Sequence, residues 1–416
     1  MIKKEKFNKI EEVVLYILGL SIFLDYKFTK MLVAVVIILL FLRKILYKEK
    51  LECGNENIKK LIFFYIVVGT VWNFLGGMSY KPARNFLKMA RYIPFLFFMY
   101  PILKRDKEKL KKFLLCSLIS YGILFQKVIK EFIGFQYPWE RAVGFEGISV
   151  TGDIGAMVSV FSFGLFIDEK KWIKKIIYLI VFLSGIFITI ATQGRAPLLS
   201  ILLGTGFIII LEIYSKINLK KLSIVIGLIL MVSFIGIKII PENYKERFET
   251  TFKTDKTIEN TSNGLRIEMW KIGLKRIKEN PILGSGTKYD KDNLFRKFAL
   301  ELPEETEVDK NYKYQLLNLG FNDAHSMYIN AVVDNGIFVI VLFILWFGVP
   351  GYLYLKYYKV LEEKKYFLGS LGSIISFLTI GGFWMMWRMQ EQMYFWIFMS
   401  ILLVSVYSQR EKLESN

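Results

Sequence analysis

Histidine and cysteine are nearly absent from this chain: His325 is its one imidazole, and Cys53 and Cys116 are its only thiols, in 416 residues. Imidazole chemistry therefore has a single address. In the topology derived below both cysteines fall on the cytoplasmic side, where thiols stay reduced, so neither a disulfide nor a cysteine-based metal site is expected. Also missing are an internal repeat, a low-complexity tract and an appended soluble domain. Lys3, Lys4 and Lys6 before the apolar run Val13 to Leu24 look like the start of a signal peptide. No small-residue cleavage site follows, and Asp25-Tyr26-Lys27 comes instead, so the segment is expected to stay as an uncleaved first helix.

What fills the chain is apolar. Apolar residues make up 54% and aromatics 16%, with a mean hydropathy of +0.38, well beyond what a soluble domain of this length needs. This composition predicts an all-α polytopic membrane protein. Runs of roughly 17 to 25 apolar residues cross about 30 Å of hydrocarbon as helices, and such runs lie near 10–24, 28–47, 61–79, 84–103, 113–133 and 147–168. Six more lie near 172–192, 195–214, 221–240, 326–356, 366–386 and 390–408. About twelve transmembrane helices are expected, the tenth long enough to tilt. The chain thus divides into helices 1 to 9 over 1–240, a long polar segment over 241–325, and helices 10 to 12 with a tail over 326–416.

Orientation follows from the basic residues, because short loops rich in lysine and arginine are retained in the cytoplasm. They crowd the N-terminus, the linkers at 43–60, 104–112, 169–175, 216–221 and 356–365, and the C-terminal tail. Both termini are therefore expected in the cytoplasm, and the long segment on the extracytoplasmic face. That segment holds acids and bases in equal number, so the formal charge of +19 comes chiefly from the cytoplasmic linkers. Membrane-apposed charge explains it without nucleic-acid binding.

Within the long segment an amphipathic helix is expected from an N-cap at Asn263 to Glu279, with Pro281 ending it. Arg266 falls in its first turn, where a cation opposes the helix dipole. A partner must offset it, either Glu268 or another carboxylate, or an anionic ligand at the helix N-terminus. The turn Ile282-Leu283-Gly284-Ser285-Gly286 follows. Then comes an acidic stretch with Glu301, Glu304, Glu305, Glu307 and Asp309, expected as a solvated, mobile loop. His325 stands where the chain re-enters the membrane; a neutral imidazole there can take a proton from a hydroxyl nucleophile.

Several cations sit where a membrane makes them costly. Arg84, Lys88 and Arg91 share one helix face, and the run after them, Tyr92 to Leu103, is too short to span alone. Snorkelling accounts for Arg84 and Lys88. Arg91 lies roughly 10 Å below the outer end of its helix and calls for an anionic partner such as a headgroup. Arg195 sits in the tight turn Thr192-Gln193-Gly194-Arg195-Ala196-Pro197, where a guanidinium can grip phosphate oxygens bidentately or anchor at the interface. Arg141 is read as a loop salt bridge, and Arg388 is expected to pair with Glu391. Glu146 and Asp153 are either acids in a cavity or, for Asp153, part of a small-residue packing site.

Taken together, these residues resemble the O-antigen ligase and polymerase family. The resemblance rests on the Gln193-Gly194-Arg195 turn and on Arg266-x-x-x-Trp270 followed by Asn280-Pro281-Ile282-Leu283-Gly284-Ser285-Gly286. Ala324-His325-Ser326 followed by Gly336, and the large outer loop between the ninth and tenth spans, complete it. Ser326 stands where the family usually has asparagine, and the family's proline-asparagine near the sixth span is missing after Gly144-Phe145. The resemblance implies transfer of a polyprenyl-diphosphate-linked glycan in the bacterial inner membrane, with the active site on the extracytoplasmic face. Arg195 and Arg266 would hold the diphosphate, and His325 would orient or deprotonate the attacking sugar hydroxyl. Arg91 and Arg84 would extend the cationic path, an inference from spacing. No metal or other cofactor is required, because arginines can supply the electrostatic stabilisation. The acceptor would be lipid A core in a ligase or a second lipid-linked repeat in a polymerase, with the ligase narrowly preferred. A glycolipid flippase or transporter is the alternative from another class; against it, transporters tend to show repeated halves and midplane charges.

Overall fold

The computed structural model describes residues 3–137, 140–214, 261–290, 292–318 and 323–414, and all regular structure among them is helical. Nine helices open the chain: α1 Lys4–Ser21, α2 Tyr26–Tyr47, α3 Glu56–Gly77, α4 Tyr80–Ala90, α5 Pro94–Arg105, α6 Lys107–Ile133, α7 Ile148–Asp168, α8 Trp172–Ala191 and α9 Arg195–Tyr214. Short polar residues set where they start. Asp25 caps α2 by accepting from the Lys27 and Phe28 amides at 2.7 and 3.3 Å, and Asn55 caps α3 in the same way. Ser79 and Asp106 cap α4 and α6. Each such side chain satisfies amides that a helix start leaves without a partner.

Among the described residues, seven stretches are long and apolar enough to cross a membrane: Glu56–Gly77, Tyr80–Arg105, Lys107–Ile133, Ile148–Asp168, Trp172–Ala191, Arg195–Glu212 and Met327–Val360. Lys365–Gly381 is a shorter apolar helix. Helices also occupy the positions of the first, second and twelfth expected spans, while the ninth, 221–240, lies outside the described residues. The packing supports membrane residence. Helix α7 is buried on nearly all sides, whereas α2, α3 and α8 turn Ile38, Phe41, Val67, Val71 and Ile180 outward, more than half exposed each. Contiguous apolar faces of that extent are rare on soluble monomers.

At the centre, α7 meets α14 (Lys365–Gly381) almost backbone to backbone. A Cβ on Gly164 would lie 2.3 Å from the Gly369 amide nitrogen, so only small residues permit this approach. Ser373 Oγ donates to the Met157 carbonyl at 2.9 Å, and Ser200 and Ser376 pair at 2.9 Å, tying α9 to the same helix. The last helix, α15 (Gln392–Glu414), closes the bundle. Its opposite end, away from His325, is basic and laced with ion pairs. The least expected of these is Arg43 Nε to Glu11 Oε1 at 2.8 Å, with both side chains buried.

The tenth span is not a single tilted helix. Helix α13 (Met327–Asn335) stops at Gly336, whose φ of 51° and ψ of −134° suit only glycine, and a 3-10 turn, a short α turn and a π turn carry the chain on to Val349–Tyr357. The freed carbonyls find donors in the turn after Pro281. Ser285 N bonds to Val333 O at 2.8 Å and Gly286 N to Asp334 O at 2.9 Å, while Ile337 N returns a bond to Ile282 O at 3.0 Å. A Cβ on Gly336 would lie 2.1 Å from Ile282 O, and one on Gly284 2.6 Å from Asp334 O. The Gly284-Ser285-Gly286 turn and Gly336 are thus two halves of one joint, fastened further by Asn73, which accepts from Thr287 N at 2.7 Å and donates to Asn335 Oδ1 at 3.0 Å. Gly336→Val should cost on the order of 3 kcal/mol through backbone strain and lost hydrogen bonds. Thermal melting in detergent with limited proteolysis would show it as a lower midpoint and faster cleavage of the 281–290 turn.

The described part of the polar segment is folded. Helices α10 (Thr261–Glu279), α11 (Leu294–Leu300) and α12 (Glu307–Asn318) enclose a small core of Leu265, Met269, Ile272, Phe295, Phe298 and Tyr312. This corrects the expectation of a mobile acidic loop: Glu301, Glu304 and Glu305 form only the connection, and Glu307 and Asp309 open α12. Helix α10 ends at Glu279 as expected but is already helical at Thr261, upstream of the expected cap Asn263, so Arg266 lies beyond its first turn, where the dipole opposes a cation less.

Candidate active site

His325 stands in the turn that leads into α13. Ser326, extended, precedes α13, and Asp323 lies two residues before the imidazole on the incoming chain. The Asp323 carboxylate accepts from the His325 amide at 2.7 Å and lies 3.0 Å from its ring Nδ1. His325 makes both contacts at a φ of 45°, a left-handed conformation rare outside glycine and asparagine. Trp384 presents its edge to the imidazole, ring centres 5.2 Å apart, and its carbonyl accepts from Met327 N at 3.1 Å. On the other side, Gly273 of α10 packs on Ala324 and Ile329, and Trp270 lies against Phe383 at 6.4 Å. Thus α10 braces the His325 turn through Gly273, with Trp270 reaching Phe383 beside Trp384.

A cavity of about 190 Å³ opens beside Asp323, lined also by Arg276, Lys288, Asp290 and Arg388. Its charges are matched. Arg388 pairs with Asp334, Nε to Oδ2 at 3.0 Å, and buried Arg276 reaches Asp290 at 3.4 Å. Burial disfavours charge on Asp323, but the hydrogen bond from His325 and the field of Arg388 outweigh it and hold its carboxyl at about 2. Lys288, exposed along its stem, donates to the Arg388 carbonyl at 2.7 Å. Partial desolvation first, and then the like charge of Arg388, bring it below the ordinary lysine value.

The pairing of Arg388 with Asp334 replaces the one expected with Glu391. Glu391 forms no salt bridge among the described residues and is wholly buried just before α15.

The other sequence-derived cations occupy different settings at this end. Arg91 terminates α4, half-buried, and bonds to the Tyr92 hydroxyl at 3.0 Å. Arg84 is exposed, stacked on Tyr80 at 5.7 Å. Arg195 is the first residue of α9, half-buried, after Gln193 in a left-handed conformation. The turn beneath it is clamped from the 140–142 loop. There Arg141 Nε donates to Thr192 O at 2.7 Å, Ala142 N bonds Ala191 O at 2.9 Å, and Gln193 Nε2 bonds Glu140 O at 3.1 Å. Arg266 is half-buried on α10; Glu268, its expected partner, receives Lys271 Nζ at 2.8 Å. Asp153 is buried on α7, where neighbouring Gly155 packs against Gly185 and Ile188. Asp323, Asp334 and Arg276 were not anticipated. For Asp323, the x-Asp-x-His spacing itself is the signal: an aspartate two residues before a histidine can cap and orient it.

The fold and this site define a multi-helix membrane protein with an imidazole–carboxylate pair at one end, beside a charge-lined cavity. Residues 178–344, from α8 through α13 to the broken tenth span, match the model of the O-antigen ligase family, which bears out the resemblance carried by the sequence motifs and points to glycan transfer of the O-antigen ligase or polymerase type. A Haemophilus influenzae protein described only as uncharacterized is 25% identical over 325 residues, 74% of this chain and 75% of its own length.

Proposed function

We propose that the protein transfers a glycan from a polyprenyl diphosphate to a sugar hydroxyl, with His325 as the base. The observation that carries this reading is the 3.0 Å contact between His325 Nδ1 and Asp323. A carboxylate accepting from Nδ1–H fixes the tautomer in which Nε2 holds the lone pair. Nε2 then takes the proton of the acceptor hydroxyl as its oxygen bonds to the anomeric carbon, and the bond from that carbon to the diphosphate breaks. Asp323, ionised down to about pH 2, supports the imidazolium that forms. The leaving diphosphate needs charge stabilisation. Arg276 and Arg388 are engaged with Asp290 and Asp334 and act as supports. Arg195, Arg266 and Arg91 are assigned to the diphosphate, with exposed Arg84 at the rim. Arginines make a divalent metal unnecessary for this step.

The preferred acceptor is lipid A core, and a second lipid-linked repeat unit would make the same site a polymerase. The bundle would lie in the bacterial inner membrane, with both termini in the cytoplasm and His325 on the far face. Liposomes holding the protein, a polyprenyl-diphosphate glycan, lipid A core and EDTA test this. Glycan on the core supports the ligase, and a ladder of longer lipid-linked glycans the polymerase. Donor crossing between leaflets without consumption would replace the enzyme with a flippase.

A further inference from the structure

One flank of the bundle carries a cleft lined by none of the residues assigned to the transfer reaction. Helices α6 and α8 form its walls, and α7 and α15 its floor, through Phe161, Leu165 and Ile397. Toward the His325 end the walls meet: the Tyr121 hydroxyl and Ser184 Oγ lie 3.1 Å apart, and Phe187 packs edge-on against Phe125 and Phe132 at 5.9 and 5.1 Å. Beyond this seam, toward the basic end, the same helices are separated by an apolar cavity of about 350 Å³, a volume typical of small-molecule sites. Lys111 on α6 and Lys174 on α8 flank its mouth, with the tyrosines Tyr178 and Tyr366 beside them.

We propose that this cleft binds one anionic phospholipid, its acyl chains between α6 and α8 and its phosphate held by Lys111 and Lys174. Length selects this occupant. From Lys111 to Tyr121 the wall rises ten residues, about 15 Å at 1.5 Å per residue, which is half of a hydrocarbon core of about 30 Å. The cleft is one leaflet deep and opens at the lysine end. A polyprenyl diphosphate reacting at His325 would bring its charge to the other, sealed end. Charge selects the headgroup, since two lysines at a membrane surface favour an anionic over a zwitterionic lipid by about 30-fold. Lys111 also pairs with Glu108; that pair is half-exposed or more on both sides, and such pairs open readily to a better partner. The proposal stands independently of the glycan-transfer reading.

Native mass spectrometry of protein drawn from vesicles of equal phosphatidylglycerol and phosphatidylcholine tests it. The wild type is expected to retain one phosphatidylglycerol, at about 30-fold preference. Lys111→Gln with Lys174→Gln, a surface change that leaves the apolar walls intact, should abolish the preference. Leu118→Trp, which fills the cleft from one wall, should remove the bound lipid while both lysines remain. Equal retention of the two lipids by the wild type, or phosphatidylglycerol retained at wild-type level in the lysine variant, would overturn the proposal. So would one-for-one displacement by added polyprenyl diphosphate, which would assign the cleft to the donor's tail.

Discussion

His325→Ala is expected to lower glycan transfer by about 10²- to 10⁴-fold, the range for loss of a positioned general base, while the bundle stays folded. The imidazole contacts its carboxylate partner and lies edge-to-face with Trp384, so the readout must separate lost chemistry from lost packing. The acceptor hydroxyl must shed its proton as the new bond forms, and the chain has no second histidine to substitute. Turnover measured in liposomes should fall while donor binding remains near wild type. A parallel loss of binding and of melting temperature would instead make His325 a structural residue.

Arg388→Met carries the largest expected effect on stability. Arg388 and Asp334 are both nearly inaccessible, their side chains 7% and 3% exposed, and the aspartate lies one turn into the joint that Gly284, Gly286 and Gly336 build. Removing one partner of a buried pair leaves the other charged and unsolvated, which costs about 3–5 kcal/mol. Lys288 hangs from the Arg388 carbonyl, and the field that keeps Asp323 ionised comes partly from Arg388, so the site should loosen as well. Adding Asp334→Asn to the variant should restore part of the loss, because the orphaned charge goes with it. Additive effects in that double-mutant cycle would show that the two residues are not coupled.

Apolar run length and cap residues made the helical class, the outer helix ending before Pro281 and the position of His325 legible from the sequence. Other features depend on residues far apart in the chain. Arg388 has an acid three residues on, in Glu391, and local spacing favoured that pair; the fold instead brings Asp334 to it across 54 positions. The Asn280 to Gly286 motif looked like a bare turn, because its use is visible only where the tenth helix breaks and needs donors. The acidic composition of 301–309 hid helices α11 and α12, although Phe295, Phe298 and Ala299, like Tyr312 and Leu316, already carry the spacing of one helical face. Arg195, Arg266 and Arg91 were legible as cations at one end; the order in which they meet a diphosphate is set by the ligand.

Asp323→Asn tests the central claim most directly. It keeps the size of the side chain and an acceptor oxygen, but removes the charge that orients His325 and stabilises its protonated form. Single-turnover transfer with bound donor, in EDTA, should slow by at least about 10²-fold with donor affinity unchanged. Transfer at the wild-type rate would contradict the assignment of the Asp323–His325 pair as the catalytic base.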